Sequence, residues 1–208
     1  MILYDYFRSS CAYRVRIALN LKGLGYERRP IDLRANDQNG VEYRARNPQG
    51  LVPALEVDGV LLTQSLAILD WLDSRASAPR LFPAEPAARA RVMAQALAIV
   101  ADIQPLGNLR VLRRLGRQFG ADEPGRDEWA RHWIEEGFAA LEASAGDGSF
   151  LGGEAPNAAD VCLVPQMFNA RRFNVALGGF PRLVAIDAAM TALAPVAAAH
   201  PERVAETA

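Results

Sequence analysis

The stretch that decides the fold is residues 2–21, which read ILYDYFRSSCAYRVRIALNL. It opens with an apolar, β-prone segment, Ile2–Tyr6. Ser9 and Ser10 follow, and they precede apolar residues at helical spacing. Because serine is a favoured helix cap, this order predicts a strand that leads directly into a helix, with Gly23 just beyond the helix end.

The next residues predict a second strand and a connection. Tyr26–Leu33 alternates between polar and apolar residues like a half-buried strand, and Pro30 favours a sheet edge or a strand end because proline donates no ladder hydrogen bond. Arg34–Asn47 is polar and is predicted to form a loop.

A hairpin and a third element complete the N-terminal pattern. Asp58-Gly59 separates two short apolar segments, Ala54–Val57 and Val60–Thr63, and this dipeptide is a strong signal for a two-residue turn. Ser65 is predicted to cap the helix that follows. The order is therefore βαβ, a connecting segment, then ββα.

Composition excludes several classes of protein. The chain has 208 residues, of which 50% are hydrophobic and 23% are charged, so it can bury a core without disulfides or metals. A net charge of −1 predicts no nucleic-acid partner, and no apolar run reaches the ~18 residues of a membrane span. Two cysteines, Cys11 and Cys162, are too few for a disulfide framework, which favours a cytoplasmic protein.

The second part of the chain is predicted to be helical. Composition shifts over Ser77–Pro86, where three prolines cannot continue a helix. We therefore expect one domain over residues 1–78, a linker over 79–86 and an all-helical domain over 87–208. The segments with helical periodicity are Ala87–Asp102, Pro105–Phe119, Asp127–Ser144, Ala158–Phe173 and Pro181–Leu193. Asn157 is predicted to cap the fourth segment, with Asp160 in its first turn.

Three short motifs have the residue types of an anion-binding site. Residues 8–11, RSSC, place two hydroxyls and a thiol at a helix start, where free N–H groups favour a thiolate or carboxylate. Val52-Pro53 precedes the hairpin; a cis bond there would turn the Val52 main chain toward a peptide-like ligand. Gln64-Ser65 forms a second helix start. Ordinary capping also explains the serines.

These motifs resemble those of a known family. The βαβ–ββα order, with Val-Pro before the hairpin and Gln-Ser at the third helix, resembles the glutathione-binding domain of cytosolic glutathione transferases. Residues 6–19, YFRSSCAYRVRIAL, are similar to the signature of the zeta class. Further matching segments are Asn47-Pro48, residues 64–68 (QSLAI), residues 103–106 (IQPL), Asn108-Leu109, Ala159-Asp160 and residues 163–166 (LVPQ).

The resemblance implies an α/β thioredoxin-like N-terminal domain with a mixed sheet, an all-α C-terminal domain, a homodimer and glutathione as cofactor. Ser9 is then expected to hydrogen-bond the glutathione sulfur, with Ser10 and Cys11 beside it as further catalytic candidates. Gln104 and Asn108 lie four residues apart and are expected to share a helix face. The other residues expected to bind glutathione are Gln38, Val52, Pro53, Gln64, Ser65, Gln104 and Asn108.

The reaction implied by the resemblance is glutathione-dependent cis–trans isomerisation of an unsaturated diketo acid, foremost maleylacetoacetate to fumarylacetoacetate in aromatic amino acid catabolism. Its substrate is a small organic anion, and guanidinium groups pair well with carboxylates. Arg8, Arg110 and Arg172 are the candidates for holding the substrate. The sequence does not separate Arg172 from the adjacent Arg171.

Three alternatives remain open from the sequence. Arg110 and residues 119–123, FGADE, resemble a related branch that isomerises maleylpyruvate. Glutathione conjugation or dehalogenation of small halo-acids is a second alternative. A non-catalytic binding module is the third, and the complete RSSC and Gln64-Ser65 motifs argue against it. No spacing of histidines and cysteines predicts a metal site.

Overall fold

The computed structural model describes residues 1–76 and 78–205. Its main-chain contacts divide the chain into two compact units. The first is Met1–Leu81 together with the segment from Thr191 onward, and the second is Phe82–Met190. Ser77, where the predicted composition shift begins, and residues 206–208, at the end of the predicted helical domain, lie outside the described residues.

A four-stranded mixed sheet forms the centre of the first unit, in the order β2-β1-β3-β4. β1 pairs in parallel with β2 and antiparallel with β3, and β3 pairs antiparallel with β4. The strands are β1 (Ile2–Asp5), β2 (Glu27–Pro30), β3 (Ala54–Val57) and β4 (Val60–Thr63). This is the thioredoxin-like topology that the resemblance implies.

Two details of the sheet confirm the turn and edge predictions. Asp58 and Gly59 connect β3 to β4 with φ angles of 50° and 78°, as a tight hairpin turn requires. Pro30 is the last residue of β2, which is an edge strand.

Helices account for most of the remaining described residues. They are α1 (Ser10–Leu21), α2 (Val41–Arg46), α3 (Ser65–Arg75), α4 (Pro86–Leu97), α5 (Leu109–Phe119), α6 (Glu123–Ser144), α7 (Ala158–Arg172), α8 (Pro181–Thr191), α9 (Ala194–Ala198) and α10 (Pro201–Ala205). In the first unit, α1 packs against both α3 and α9.

Two local predictions in the first unit are wrong. The predicted loop Arg34–Asn47 contains a short 3-10 turn, Asp37–Asn39, and the helix α2. Only Tyr43 is buried in α2, so its sequence lacks the apolar stripe that marks a helix. Ser65 is the first residue of α3 rather than its cap, because Gln64 occupies the cap position without a capping hydrogen bond.

The five helices predicted in the second unit are present, but two of them begin four residues from the predicted start: α5 at Leu109 rather than Pro105, and α6 at Glu123 rather than Asp127. The π-helical segment Ala98–Ile103 extends α4, and a turn then precedes α5, whose N-cap is Asn108. Gln104 and Asn108 therefore do not share a helix face. Pro105, which lacks an N–H, lies between them and interrupts helical hydrogen bonding.

α7 begins with the predicted cap. Asn157 and Asp160 form a reciprocal capping box, in which each side chain accepts a hydrogen bond from the main chain at the other end of the turn. Pro165 lies inside α7, so the helix starts before it. Among the described residues, no helix has the length and apolarity needed to cross a membrane.

Candidate functional site

Ser9 lies at the junction between β1 and α1. Its backbone is extended, with φ −68° and ψ 116°, and its Oγ accepts a hydrogen bond from the Ala12 N–H at 3.2 Å. Ser9 is therefore the N-cap of α1. Because the cap bond uses the oxygen as an acceptor, the hydroxyl proton is left for donation to a ligand.

The neighbours of Ser9 differ in exposure. Ser10 is buried, Cys11 is half-buried and Arg8 is exposed, with its Cζ atom 5.2 Å from the centre of the Phe7 ring. These residues lie together where α1 begins, and the free N–H groups and dipole of a helix start favour a bound anion.

Arg14 connects this turn to the start of α3. Its side chain is fully buried, and its Nη1 donates hydrogen bonds to Ser65 Oγ at 3.2 Å and to Cys11 Sγ at 3.7 Å. Nε and Nη2 of the same guanidinium have no hydrogen-bond partner among the described residues. The structure thus brings Cys11 and Ser65 within reach of one cation.

The peptide bond between Val52 and Pro53 is cis, as the sequence analysis anticipated for a ligand-binding loop. The carbonyl of Leu51, one residue earlier, accepts hydrogen bonds from the Tyr43 hydroxyl at 2.7 Å and from Asn47 Nδ2 at 2.8 Å. Burial raises the pKa of Tyr43 to about 12, which keeps the phenol protonated as a donor. Side chains at α2 therefore hold the loop that carries Val52.

Gln64 occupies the turn between β4 and α3. Its φ of 67° and ψ of 112° lie in a region that non-glycine residues rarely adopt, at a cost of roughly 1–3 kcal/mol. The side chain is exposed, and Nε2 donates a hydrogen bond to Gln49 Oε1 at 3.1 Å. The ligand-binding role of Gln64 stays a prediction.

Gln38 is buried in the connection before α2. Its Nε2 donates a hydrogen bond to Asn36 Oδ1 at 3.2 Å, whereas its Oε1 has no partner among the described residues. The main-chain carbonyl oxygen of Gln38 also lies close to Gly50, whose φ is 62°. A Cβ atom at position 50 would lie 2.8 Å from that oxygen. Glycine is therefore required at position 50 for this close approach.

A buried ion network that the sequence analysis did not predict supports the turn before α1. Arg16 Nη1 pairs with Asp5 Oδ1 at 2.7 Å, and both side chains are fully buried. Arg16 also donates hydrogen bonds to the carbonyls of Phe7 and Ala199 at 2.9 and 3.1 Å. Burial lowers the pKa of Arg16, and the charge of Asp5 opposes this shift. A charged residue inside an apolar strand, Asp5, was the available signal.

Two of the predicted glutathione contacts belong to the second unit. Gln104 is half-buried in the turn before α5, and Asn108 Oδ1 accepts a hydrogen bond from the Arg110 N–H at 3.1 Å. The Arg110 side chain is exposed.

The two adjacent arginines at the end of α7 have different partners. Arg171 Nη2 pairs with Asp187 Oδ2 at 2.6 Å. Arg172 is exposed; its Nη1 donates a hydrogen bond to Asn169 Oδ1 at 3.3 Å, and its Cζ lies 5.8 Å from the centre of the Phe173 ring. A carboxylate of the protein thus already pairs with Arg171.

The polar groups of the first unit fit a ligand that has both an anionic group and hydrogen-bond donors. Ser9 offers a hydroxyl proton at a helix start, and Arg14 has unused N–H groups. Gln38 offers an unused acceptor. Buried polar atoms without partners are uncommon in folded proteins. Among the described residues, no cluster of side chains suited to a metal ion is found.

Comparisons with known proteins identify the family. The model of the glutathione S-transferase N-terminal domain matches residues 8–75. The maleylacetoacetate isomerase of Rhizobium meliloti is 47% identical over 205 residues, which cover 97% of this chain and 96% of that protein. The structure of a maleylpyruvate isomerase described as a bacterial zeta-class glutathione transferase matches with a TM-score of 0.96 and 41% identity, over 98% of each chain. The chain belongs to the zeta class of glutathione transferases.

A second solved structure is similar to this zeta-class transferase along its length. It is the maleylacetoacetate isomerase of Methylobacterium extorquens AM1 with bound malonate and glutathione. The TM-score is 0.94 at 39% identity, over 98% of this chain and 97% of that one. The fold class and family expected from the sequence are therefore confirmed.

Proposed function

We propose that this zeta-class transferase is a glutathione-dependent cis–trans isomerase that converts maleylacetoacetate to fumarylacetoacetate. The observation that carries the proposal is the hydrogen bonding of two serines. The oxygen of Ser9 accepts from the Ala12 N–H, and the oxygen of Ser65 accepts from Arg14. Both hydroxyl protons are therefore left for anionic groups of a ligand, which glutathione supplies as a thiolate and a carboxylate.

The main task of the first unit is to keep a bound thiol deprotonated near neutral pH. Bound glutathione supplies the sulfur nucleophile, which adds to the cis double bond, allows rotation and is expelled from the trans product. Ser9 donates a hydrogen bond to this sulfur, and the start of α1 favours its negative charge. Each unit of pKa lowering requires about 1.4 kcal/mol, which is within the range of one charge-assisted hydrogen bond.

The other proposed contacts distribute along the tripeptide. Ser10 and Cys11 flank the sulfur, and the main chain of Val52 pairs with the peptide of glutathione as an added strand would. Gln64 and Ser65 bind the carboxylate at the γ-glutamyl end. The remaining proposed glutathione contacts are Gln38, Pro53, Gln104 and Asn108.

Arginines are proposed to hold the carboxylates of the substrate. Arg8, Arg110 and Arg172 are exposed, and guanidinium groups bind carboxylates through two parallel hydrogen bonds. Arg171 is not assigned this role because Asp187 already pairs with it. Holding the substrate against the sulfur converts a bimolecular encounter into an intramolecular reaction.

We also propose that the protein is a homodimer of the cytoplasm and acts in aromatic amino acid catabolism. The resemblance to zeta-class enzymes supports this proposal. The cysteine usage is consistent with it, because Cys11 and Cys162 are too few for a disulfide framework.

Maleylpyruvate is the second candidate substrate. The structure with a TM-score of 0.96 is that of a maleylpyruvate isomerase, and Arg110 lies in a segment that resembles that branch. The same sulfur chemistry would serve both substrates, so the difference lies in how well each carboxylate is held.

An ultraviolet assay of the purified protein tests the function. Each cis acid is supplied with and without glutathione, using wild type, Arg172→Gln and the exposed control Arg117→Gln. We expect glutathione-dependent turnover of maleylacetoacetate that falls in Arg172→Gln and persists in the control. Turnover of maleylpyruvate alone would reverse the substrate assignment, and turnover without glutathione would contradict the proposed cofactor.

A further inference from the structure

Arg14 differs from the other fully buried basic side chains of the first unit. Arg16 pairs with Asp5 at 2.7 Å, and Lys22 pairs with Asp73 at 2.9 Å. Arg14 has no ion-pair partner within the part of the chain that the structure describes, although its exposure is 0%. A guanidinium keeps its charge at any ordinary pH, so burial without a counter-charge is costly.

The two groups that Arg14 contacts both lie at helix starts. Its Nη1 donates to Cys11 Sγ in the first turn of α1 and to Ser65 Oγ at the first residue of α3. Ser65 is itself 4% exposed. Because the Ser65 oxygen accepts from a cation, its O–H bond is polarised and becomes a stronger donor to a third group. The missing counter-charge is therefore expected where the Ser65 hydroxyl points.

We propose that Arg14 is a positioning residue for glutathione, which acts through Ser65 to select a ligand carboxylate. This proposal rests on the proposed use of glutathione. It adds which residue makes the site prefer a ligand that has an α-carboxylate. Arg14 fixes the Ser65 hydroxyl as a donor, and its buried charge is compensated when the α-carboxylate of the γ-glutamyl residue binds. Glutathione has a second carboxylate on its glycine, so an experiment must distinguish which of the two carboxylates compensates the charge of Arg14.

Titration calorimetry without any isomerisation substrate provides this separation. The ligands are glutathione, 4-aminobutyryl-cysteinyl-glycine, which lacks the α-carboxylate, and glutathione glycinamide, which lacks the glycine carboxylate. The proteins are wild type, Arg14→Met, Ser65→Ala, the double variant and Arg117→Met. Arg117 is exposed on α5 and has no proposed role, so it controls for the loss of one positive charge.

Wild type is expected to bind glutathione at least about tenfold more tightly than the ligand without the α-carboxylate. Arg14→Met should remove most of this preference, with little change in the affinity for that analogue. Ser65→Ala should do the same, and the double variant should lose little more, because the two residues act as one unit. The preference for glutathione over the glycinamide should be unchanged in Arg14→Met.

Two results would overturn the proposal. One is an equal loss of affinity for all three ligands in Arg14→Met, as a purely structural role predicts. The other is a loss of preference for the glycine carboxylate instead.

If Arg14→Met does not fold, the wild type decides, since equal thermal stabilisation by glutathione and the α-descarboxy analogue excludes the proposal. A protein that binds glutathione selectively but isomerises neither cis acid would contradict the proposed function and leave this inference intact.

Discussion

The hydroxyl of Tyr43 donates a hydrogen bond to the carbonyl of Leu51 at 2.7 Å, and Asn47 donates a second one at 2.8 Å. Both oxygen lone pairs of Leu51 are thus used, one residue before Val52. The short helix α2, which makes no catalytic contact in the proposed mechanism, therefore fixes the loop whose main chain is proposed to bind the cofactor.

Replacing Tyr43 with phenylalanine tests this support. The variant loses one buried hydrogen bond, so we expect a loss of about 1 kcal/mol in the free energy of unfolding. The KM for glutathione should rise by roughly fivefold with little change in kcat, since the lost bond holds the loop rather than the sulfur. Urea denaturation and steady-state kinetics measure the two effects.

Tyr26→Phe is the matched control. The Tyr26 hydroxyl lies 3.5 Å from Asn20 Oδ1, at the limit of a hydrogen bond. This variant should leave the KM for glutathione unchanged. A KM in Tyr43→Phe equal to that of the control would show that α2 does not position the loop.

The only lysine of the chain, Lys22, offers a second test. Its buried ammonium donates three hydrogen bonds, to Asp73 Oδ1 at 2.9 Å and to the carbonyls of Ala76 and Pro79 at 2.6 and 2.9 Å. A planar guanidinium cannot reproduce this convergent geometry. We expect Lys22→Arg to destabilise the protein by about 1–3 kcal/mol.

Lys22→Met should cost more, about 3–5 kcal/mol, because it leaves the buried Asp73 carboxylate without its cation. Urea denaturation at neutral pH measures both variants. If Lys22→Arg has the same free energy of unfolding as the wild type, the position needs only a positive charge and not the shape of the lysine ammonium.

The local backbone could be predicted where one or two residues within a short stretch determine it. Asp58-Gly59 supplies the positive φ angles of a hairpin, and Asn157 with Asp160 supplies a capping box. These interactions are local, so their signal is contained in a short window. The serine cap and the boundaries of α1 could be predicted for the same reason.

Features that depend on contacts between residues far apart in the chain could not be predicted. Arg14 and Ser65 are 51 positions apart, and Arg16 and Ala199 are 183 apart. No residue near Ser65 in the sequence indicates that a guanidinium donates a hydrogen bond to its oxygen, so the sequence predicted that Ser65 caps the helix. α9 and α10 were missed because five residues are too few to establish a helical period.

Asp160 gives a prediction about pH. Burial raises its pKa to about 6, although hydrogen bonds from the main-chain N–H groups of Leu151 and Asn157 oppose the shift. The ordinary value is 3.8, so between about pH 4 and 6 the folded protein binds this proton more strongly than the unfolded chain does. This contribution to stability is present at low pH and is lost as the pH rises through that window.

Asp160→Asn removes the titration. The variant should be destabilised by about 1–3 kcal/mol, because the amide cannot accept from both N–H groups. The difference in free energy of unfolding, wild type minus Asp160→Asn, should decrease from pH 4 to pH 6, by at most about 1.4 kcal/mol per pH unit. Urea titrations across this range measure it, and an increase would contradict the assigned shift.

A Cys11→Ala variant tests whether the protein or glutathione provides the sulfur that attacks the substrate. The proposed mechanism uses the sulfur of glutathione, so Cys11→Ala should retain much of its turnover with maleylacetoacetate. Steady-state kinetics at saturating glutathione measure this. Near-complete loss of kcat in a folded Cys11→Ala variant would instead indicate that the protein thiol takes part in the reaction.

The ionisation of bound glutathione tests the central claim most directly. Ultraviolet difference spectra report the thiolate as a function of pH, with the wild type compared with Ser9→Ala. We predict that the wild type lowers the pKa of the bound thiol so that the thiolate dominates near neutral pH. In Ser9→Ala that titration should move upward by at least about one unit, with kcat reduced by roughly 100-fold. Superimposable titrations in the two proteins, or a thiol that stays protonated in the wild type, would contradict the account.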